Sequence, residues 1–364
     1  MTRLVDLHAE QGQSPWLDNL RRDWIVDGQL ADWVARGVRG VTSNPTIFQK
    51  AMTGSDAYDA QLRSLLDGGA SILEAYWTMV VDDIGGALEV LAPVHDSSGG
   101  RDGFVSVEVA PDLARDTDGT ISAARSLSVR LDAPNLMVKI PGTAEGLPAI
   151  EAMIREGRDI NVTLIFGLER YEEVIEAYLA GLEAHEGDLS SIHSVASFFV
   201  SRVDSEVDAR LDKIGGTDAE ALKGTAAIAQ AQAAYAIFKE RFSGPRWEAL
   251  ASRGANVQRP LWASTSTKNP AYPDTLYVDA LIGPDTVNTL PEATLAAFED
   301  HGTLARTVDA EPVAARRTLD RLAEIGVDMV DVGAVLEREG VASFAASFDD
   351  LVEALRIAGA KLRG

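Results

Sequence analysis

The sequence predicts an α/β fold, a closed (β/α)8 TIM barrel with additional helices, built by residues 1–364 as one domain. Short apolar runs alternate with longer amphipathic stretches along the chain, which is the pattern of a parallel sheet covered by helices. There are about eight such runs, the number that closes a barrel. Several of them carry a polar row toward their C-terminal ends, whereas parallel strands buried on both faces are ordinarily apolar throughout. No Gly-x-Gly-x-x-Gly loop follows the early runs, which disfavours an open dinucleotide-binding sheet. The 364 residues exceed the roughly 250 typical of a barrel, and the surplus is assigned to extra helices.

In chain order, Ser14-Pro15-Trp16-Leu17-Asp18 leads into an amphipathic stretch over residues 19–35. A compact strand over 37–42 ends in Ser43-Asn44-Pro45, and helical patterns fill 46–94 with a break at Gly68-Gly69. A strand over 104–109 is closed by Ala110-Pro111, and a helix over 120–132 delivers the chain to Asn135. The run Leu136–Ile140, stopped by Pro141-Gly142, reads as a buried strand. Residues 160–166 form the next strand, 168–183 a strong helix, and 192–200 another strand. The Ala-rich stretch 218–253 has helical composition. Strands are expected over 261–264 and 276–282, and helices from Pro291 onward, with breaks near Gly302, Gly326 and Gly340.

Composition narrows the function. The 56 acidic against 33 basic residues give a net charge of −23, which argues against nucleic acid or an anionic membrane as partner. A small anionic substrate held by a few local cations is still compatible with that balance. With no cysteine, disulfides, thiolate metal sites and cysteine nucleophiles are excluded. The N-terminus lacks a signal-peptide core, and no run has the length of a membrane span. The expectation is a soluble, cytoplasmic protein, monomer or homodimer, without metal or organic cofactor; the five His form no zinc pattern.

One lysine organises the chemistry. Lys139 interrupts the apolar run 136–140 and shares a strand face with Met137. An ammonium is costly to bury, and a lysine freed of its proton attacks carbonyls to form a Schiff base. The alternative is a strand-end lysine that reaches water or pairs with a carboxylate. Around it, Ser106 and Glu108 share one strand face, as do Asp159, Asn161 and Thr163, and as do Thr42 and Asn44. Each has a structural alternative: Asn44 as a turn or cap residue, Glu108 as an ion-pair partner of Lys139, Asn161 and Thr163 as loop-bracing groups. Asp18 could cap the following helix, and Arg202 could pair with Asp204 or Glu206.

Together these residues resemble the transaldolases. The resemblance is carried by residues 13–18 (GlnSerProTrpLeuAsp), 42–46 (ThrSerAsnProThr), 107–109, 135–143 with its ValLysIleProGly, 160–164, 197–202 and 263–270. It implies a barrel enzyme of the pentose phosphate pathway. Such an enzyme moves a dihydroxyacetone unit from sedoheptulose 7-phosphate or fructose 6-phosphate to glyceraldehyde 3-phosphate or erythrose 4-phosphate. By resemblance, Lys139 forms the Schiff base and Asp18 takes the C4 hydroxyl proton. Glu108 shuttles protons through a water held with Thr163. Asn44 and Asn161, with Thr42, hold the dihydroxyacetone unit, Ser197, Arg202, Ser264 and Lys268 form the phosphate end, and Phe199 is a further substrate-binding residue. The family segment Ala-Ser-Phe-Arg-Asn is replaced here by Ala263-Ser264-Thr265-Ser266-Thr267-Lys268-Asn269. Lys268 therefore stands for an arginine, and either Ser264 or Ser266 takes the serine role. Phe199 and Glu108 fit transaldolases better than the related small aldolases, which tend to carry Tyr and Gln. Three rivals stay open: an aldolase releasing free dihydroxyacetone, a pyridoxal-phosphate barrel with the cofactor on Lys139, and a non-catalytic sugar-phosphate binder.

Overall fold

The computed structural model describes residues 2–363. Eight strands close into a barrel in sequence order, every neighbouring pair parallel, with the last strand pairing the first. They are β1 Gln13–Leu17, β2 Gly40–Thr42, β3 Phe104–Glu108, β4 Leu136–Pro141, β5 Ile160–Ile165, β6 Ser194–Phe199, β7 Arg259–Ala263 and β8 Thr286–Leu290. All their residues are buried, because the barrel interior takes one face and the helical ring the other. The expected (β/α)8 TIM barrel is thus the observed fold. Among the described residues, no helix is long and apolar enough to cross a membrane.

The strands differ from expectation at both ends of the chain. β1 contains Pro15, which reads as a turn residue in sequence. The barrel accepts it because the Pro15 carbonyl still accepts from Arg39 N at 2.8 Å. Residues 276–282 are not a strand. Leu276–Ala280 is a short helix burying Tyr277 and Val278, and the closing strand lies farther on, after a turn in which Asp285 takes φ 56°. β8 reads Thr-Val-Asn-Thr-Leu, too polar to be recognised as a buried strand in isolation. The stretch 19–35 is two helices, Arg22–Val26 and Gln29–Arg36, separated by Gly28 at φ 84°. The surplus length is helical as expected: Pro45–Thr53, Asp59–Asp67 and Ile72–Ser97 lie between β2 and β3, and Glu292–His301, Pro312–Glu324 and Met329–Arg363 follow β8. Gly340 does not break that last helix but lies within its 35 residues.

At the N-terminal end of the strands, Asp102 gathers a buried polar cluster. Ser14 Oγ and Arg39 Nε each donate to Asp102 at 2.8 Å, Arg259 approaches at 3.2 Å, and Trp16 Nε1 donates at 3.3 Å. Burial pushes the Asp102 carboxyl up, but Arg259, Arg39 and its hydrogen bonds outweigh this and hold it below the ordinary aspartate value. A depressed carboxylate adds stability that is present above its unfolded pKa and lost as pH falls through the folded one. Asp102→Ala leaves two guanidinium groups facing each other without their anion. It is expected to lower stability by about 3–5 kcal/mol, with the deficit shrinking toward low pH in denaturant titrations.

Candidate active site

The opposite end of the barrel, at the strand C-termini, holds a cavity of about 440 Å³. Lys139 reaches it from β4, yet only 4% of the residue is exposed. Its neighbours follow from strand register: Glu108 on β3 and Asn161 on β5 pair directly with Lys139 across the sheet. Glu108 Oε2 lies 3.2 Å from Lys139 Nζ, which also donates to the Ser43 carbonyl at 3.3 Å. The ion pair expected as the structural alternative for Glu108 is therefore present, at the foot of a cavity. Burial pushes the Glu108 carboxyl above the ordinary range, and Lys139 only partly offsets this.

Asp18 follows β1 directly and is fixed through its backbone N–H to the Leu290 carbonyl at 2.9 Å. It does not cap the next helix, whose N-cap is Arg21. Its carboxylate accepts from Thr42 Oγ1 at 2.8 Å, and Thr289 Oγ1 lies 2.6 Å from Thr42 Oγ1. With the Thr42 hydrogen directed at the carboxylate, Thr289 must donate to Thr42. This relay orients one carboxylate oxygen. Burial raises the Asp18 pKa, while Lys139 and the Thr42 hydrogen bond pull it down in part.

Asn44 is the N-cap of the helix Pro45–Thr53: its Oδ1 accepts from Ile47 N at 2.9 Å. The capping alternative is real and is also a means of positioning. With Oδ1 occupied, the amide Nδ2 is the group presented to the cavity, which Asn44 lines.

Asn161 and Thr163 share the interior face of β5 as expected, since opposite β4 they keep register with Lys139 and Pro141. The pairing with β6 shifts between Val162 and Ile165, and Leu164 takes φ 59°. The irregularity follows Asn161 and bends the strand at its C-terminal end. Thr163 lines the cavity, and its Oγ1 is buried without a hydrogen-bond partner among the described residues. Asn161 points into the same interior one layer deeper, where its Nδ2 donates to Ser106 Oγ at 3.0 Å and its Oδ1 accepts from Ser197 Oγ at 2.7 Å. Ser197 itself lines the cavity, so Asn161 braces it from the layer below.

The mouth is cationic. Arg202, Lys50, Lys268 and Arg21 line it, and among the described residues only Arg21 of these four makes an ion pair, with Asp23 at 2.6 Å. The expected alternative pairing of Arg202 with Asp204 or Glu206 is not present. Asp204 accepts from Tyr277 and Ala227, and Glu206 from Arg210. Arg202 instead stacks on Phe199 at 5.1 Å from the ring centroid. Burial pushes its guanidinium pKa down. Burial, Arg202 and Lys50 likewise push the Lys268 ammonium down. Unpaired like charges at one mouth, on a chain of net charge −23, make a local site for a small anion. Ser264 and Ser266 both line the cavity but face different partners: Ser264 Oγ is 2.9 Å from Ser201 Oγ, and Ser266 Oγ accepts from Lys268 Nζ at 3.0 Å. Among the described residues, no cluster of three or more His, Asp or Glu is arranged to hold a metal ion.

Several groups in this cavity, Asn19 and Arg21 among them, were not expected from the sequence. Thr289 lies on the unrecognised β8, Lys50 on the helix capped by Asn44, and Glu292 beyond β8, where it accepts from Asn19 Nδ2 at 3.0 Å. Phe344 arrives from the C-terminal helix.

The family model for transaldolase/fructose-6-phosphate aldolase matches residues 15–355. A curated protein named transaldolase from Thermobifida fusca (strain YX) is 53% identical over 350 residues, covering 95% of each chain. One of the same name from Parafrankia sp. (strain EAN1pec) is 53% identical over 358 residues, covering 97% of each. A third, from Mycolicibacterium smegmatis, is 51% identical over 348 residues, covering 94% of each. A match of this length, on a barrel with a buried lysine on its fourth strand, places the chain in the transaldolase/fructose-6-phosphate aldolase family.

Proposed function

We propose that the chain is a single-domain transaldolase that carries a dihydroxyacetone unit on Lys139 between sugar phosphates. Its donors are sedoheptulose 7-phosphate or fructose 6-phosphate, and its acceptors glyceraldehyde 3-phosphate or erythrose 4-phosphate, as in the cytoplasmic pentose phosphate pathway. The observation that carries the reading is the buried Lys139 amine, 3.2 Å from Glu108, inside a cavity with a cationic mouth.

The amine adds to the ketose C2 carbonyl and gives a carbinolamine. Glu108, whose raised pKa favours its acid form, supplies the proton with which the C2 hydroxyl leaves as water, forming the iminium. The orphaned Thr163 hydroxyl supports a role in relaying that proton through water. Asp18, as carboxylate, takes the C4 hydroxyl proton. The C3–C4 bond breaks, the aldehyde departs, and the bonding electrons pass into the iminium to leave an enamine. An incoming aldehyde reverses these steps. Asn44 Nδ2 and Thr42 face the held three-carbon unit, while Arg202, Ser197, Lys268 and the loop serines face the phosphate.

The second reading comes from the breadth of the family, which includes aldolases releasing free dihydroxyacetone. The test is product formation from fructose 6-phosphate with and without erythrose 4-phosphate. Sedoheptulose 7-phosphate formation that requires the acceptor supports transfer. Stoichiometric free dihydroxyacetone without acceptor makes the chain an aldolase.

The phosphate end gives a separate expected outcome. Arg202→Ala should reduce kcat/KM for fructose 6-phosphate by roughly 30- to 1,000-fold. The rate with unphosphorylated fructose should change little, so the preference for the phosphorylated sugar collapses. Parallel steady-state kinetics on the two sugars checks this.

A further inference from the structure

The wall above Lys139 comes from the far end of the chain. The C-terminal helix Met329–Arg363 crosses the mouth of the barrel and buries Phe344, 4% exposed, against the cavity. The Phe344 ring centroid lies 5.9 Å from Lys139 Nζ and 6.0 Å from Arg202 Cζ. It therefore stands over both the amine that carries the carbon unit and the cation at the phosphate end. Close seating of the helix brings it there. A Cβ at Gly333 would lie 3.5 Å from Gly167 Cα, and one at Gly340 would lie 3.1 Å from Leu164 Cδ2. Ser347, seven residues beyond Gly340, accepts from Thr46 Oγ1 at 2.9 Å. Gly333 leaves ordinary contact distance, while the tight approach at Gly340 and the Ser347–Thr46 hydrogen bond seat the helix on the barrel rim, so that Phe344 enters the site.

We propose that Phe344 is the water-excluding wall of the site and sets how the lysine-bound three-carbon unit divides between transfer and hydrolysis. This rests on the Schiff-base reading above. After the first aldehyde leaves, the enamine has two fates. It can attack a second aldehyde, which is transfer. Alternatively, its C3 takes a proton from the Asp18 carboxylic acid, regenerating the iminium. Water then adds to C2, the nitrogen of the carbinolamine takes a proton, and the C–N bond breaks to release dihydroxyacetone and the free amine. Both fates end with water adding at C2. In transfer this follows capture of the second aldehyde, whereas premature release needs water in the site while the aldehyde's place is empty. An apolar ring over Lys139 lowers that access. An aromatic ring also favours a cation near its face, so Phe344 holds the iminium without offering it a nucleophile.

The test is a graded series, Phe344→Leu, Phe344→Val and Phe344→Ala, in the full chain. Two rates are read from the same preparation with fructose 6-phosphate: dihydroxyacetone release without acceptor, and sedoheptulose 7-phosphate formation with erythrose 4-phosphate. The hydrolysis-to-transfer ratio is expected to climb with the volume removed, by about tenfold for Phe344→Ala, with Phe344→Leu close to wild type. Should Phe344→Ala not fold, the same trend is read from Phe344→Leu and Phe344→Val. A flat ratio across the folded variants, including a parallel fall of both rates, overturns the proposal and leaves Phe344 a packing residue. Absence of transfer in the wild-type protein would instead remove the transaldolase reading, so the two failures are separable.

Discussion

Lys139→Met is expected to fold and to lose transfer activity by about 10⁴-fold or more. No other amine can replace it: Lys50 and Lys268 lie at the mouth, whereas the Lys139 amine is held beside Glu108 and the Ser43 carbonyl. The substitution keeps the length of the side chain but leaves Glu108 buried without its counter-charge. An ionised Glu108 would then destabilise the fold by about 3–5 kcal/mol. Its pKa is already raised by burial, and losing Lys139 removes the main influence opposing that rise. A carboxyl whose folded pKa is raised favours the fold below its unfolded pKa, and that contribution is lost as pH rises through the folded value. The variant should therefore lie closer to wild type in Tm at pH 5 than at pH 8. Thermal melts at both pH values, with an activity assay on the same samples, check both halves.

The second large effect is expected at Asp18. Asp18→Asn keeps the shape and the Thr42 contact but removes the base for C–C cleavage, and turnover should fall by about 10²–10⁴-fold. Schiff-base formation does not require Asp18, so borohydride should trap the intact fructose 6-phosphate on Lys139 rather than the three-carbon fragment. The mass of the adduct separates a cleavage defect from a binding defect. Stability should move the other way. Burial raises the Asp18 pKa, so ionising it costs the folded state progressively as pH rises through that value. The neutral amide avoids this cost, and Asp18→Asn should melt above wild type at pH 8, with the gap closing as pH falls. An active site that sacrifices stability for a poised carboxylate behaves in this way. In the wild type, kcat/KM should fall on the acid side at a pH above the ordinary aspartate range, because the base must be ionised to act.

The chemistry was legible in the sequence where it was local. A lysine inside an apolar run is costly enough to imply a purpose, and strand parity grouped Ser106 with Glu108 and Thr42 with Asn44 before any tertiary contact was known. Barrel register then turned those rows into neighbours, since Glu108, Lys139 and Asn161 pair across three adjacent strands. Parity held at Asn161 and Thr163 as well, but it carries no depth, and Asn161 lies one layer too deep in the barrel to line the cavity. β1 was hidden by Pro15, a turn former that a strand tolerates where its missing N–H goes unneeded. β8 was hidden by its Thr and Asn: Thr286 bonds Gln13, Asn288 accepts from Thr265, and Thr289, which lines the cavity, was missed with the strand. Phe344 was out of reach for a different reason. Its placement depends on the path of a 35-residue helix, and Gly340, which lets that helix approach the rim, reads in isolation as a break.

Trapping the covalent intermediate tests the account most directly. The protein is incubated with fructose 6-phosphate, reduced with borohydride, digested and examined by peptide mass spectrometry. The account predicts a reduced dihydroxyacetone adduct on Lys139 in wild type and its absence in Lys139→Ala. Folded wild-type protein that yields no adduct, or carries it on another lysine, would contradict the assignment of Lys139 as the residue that holds the transferred unit.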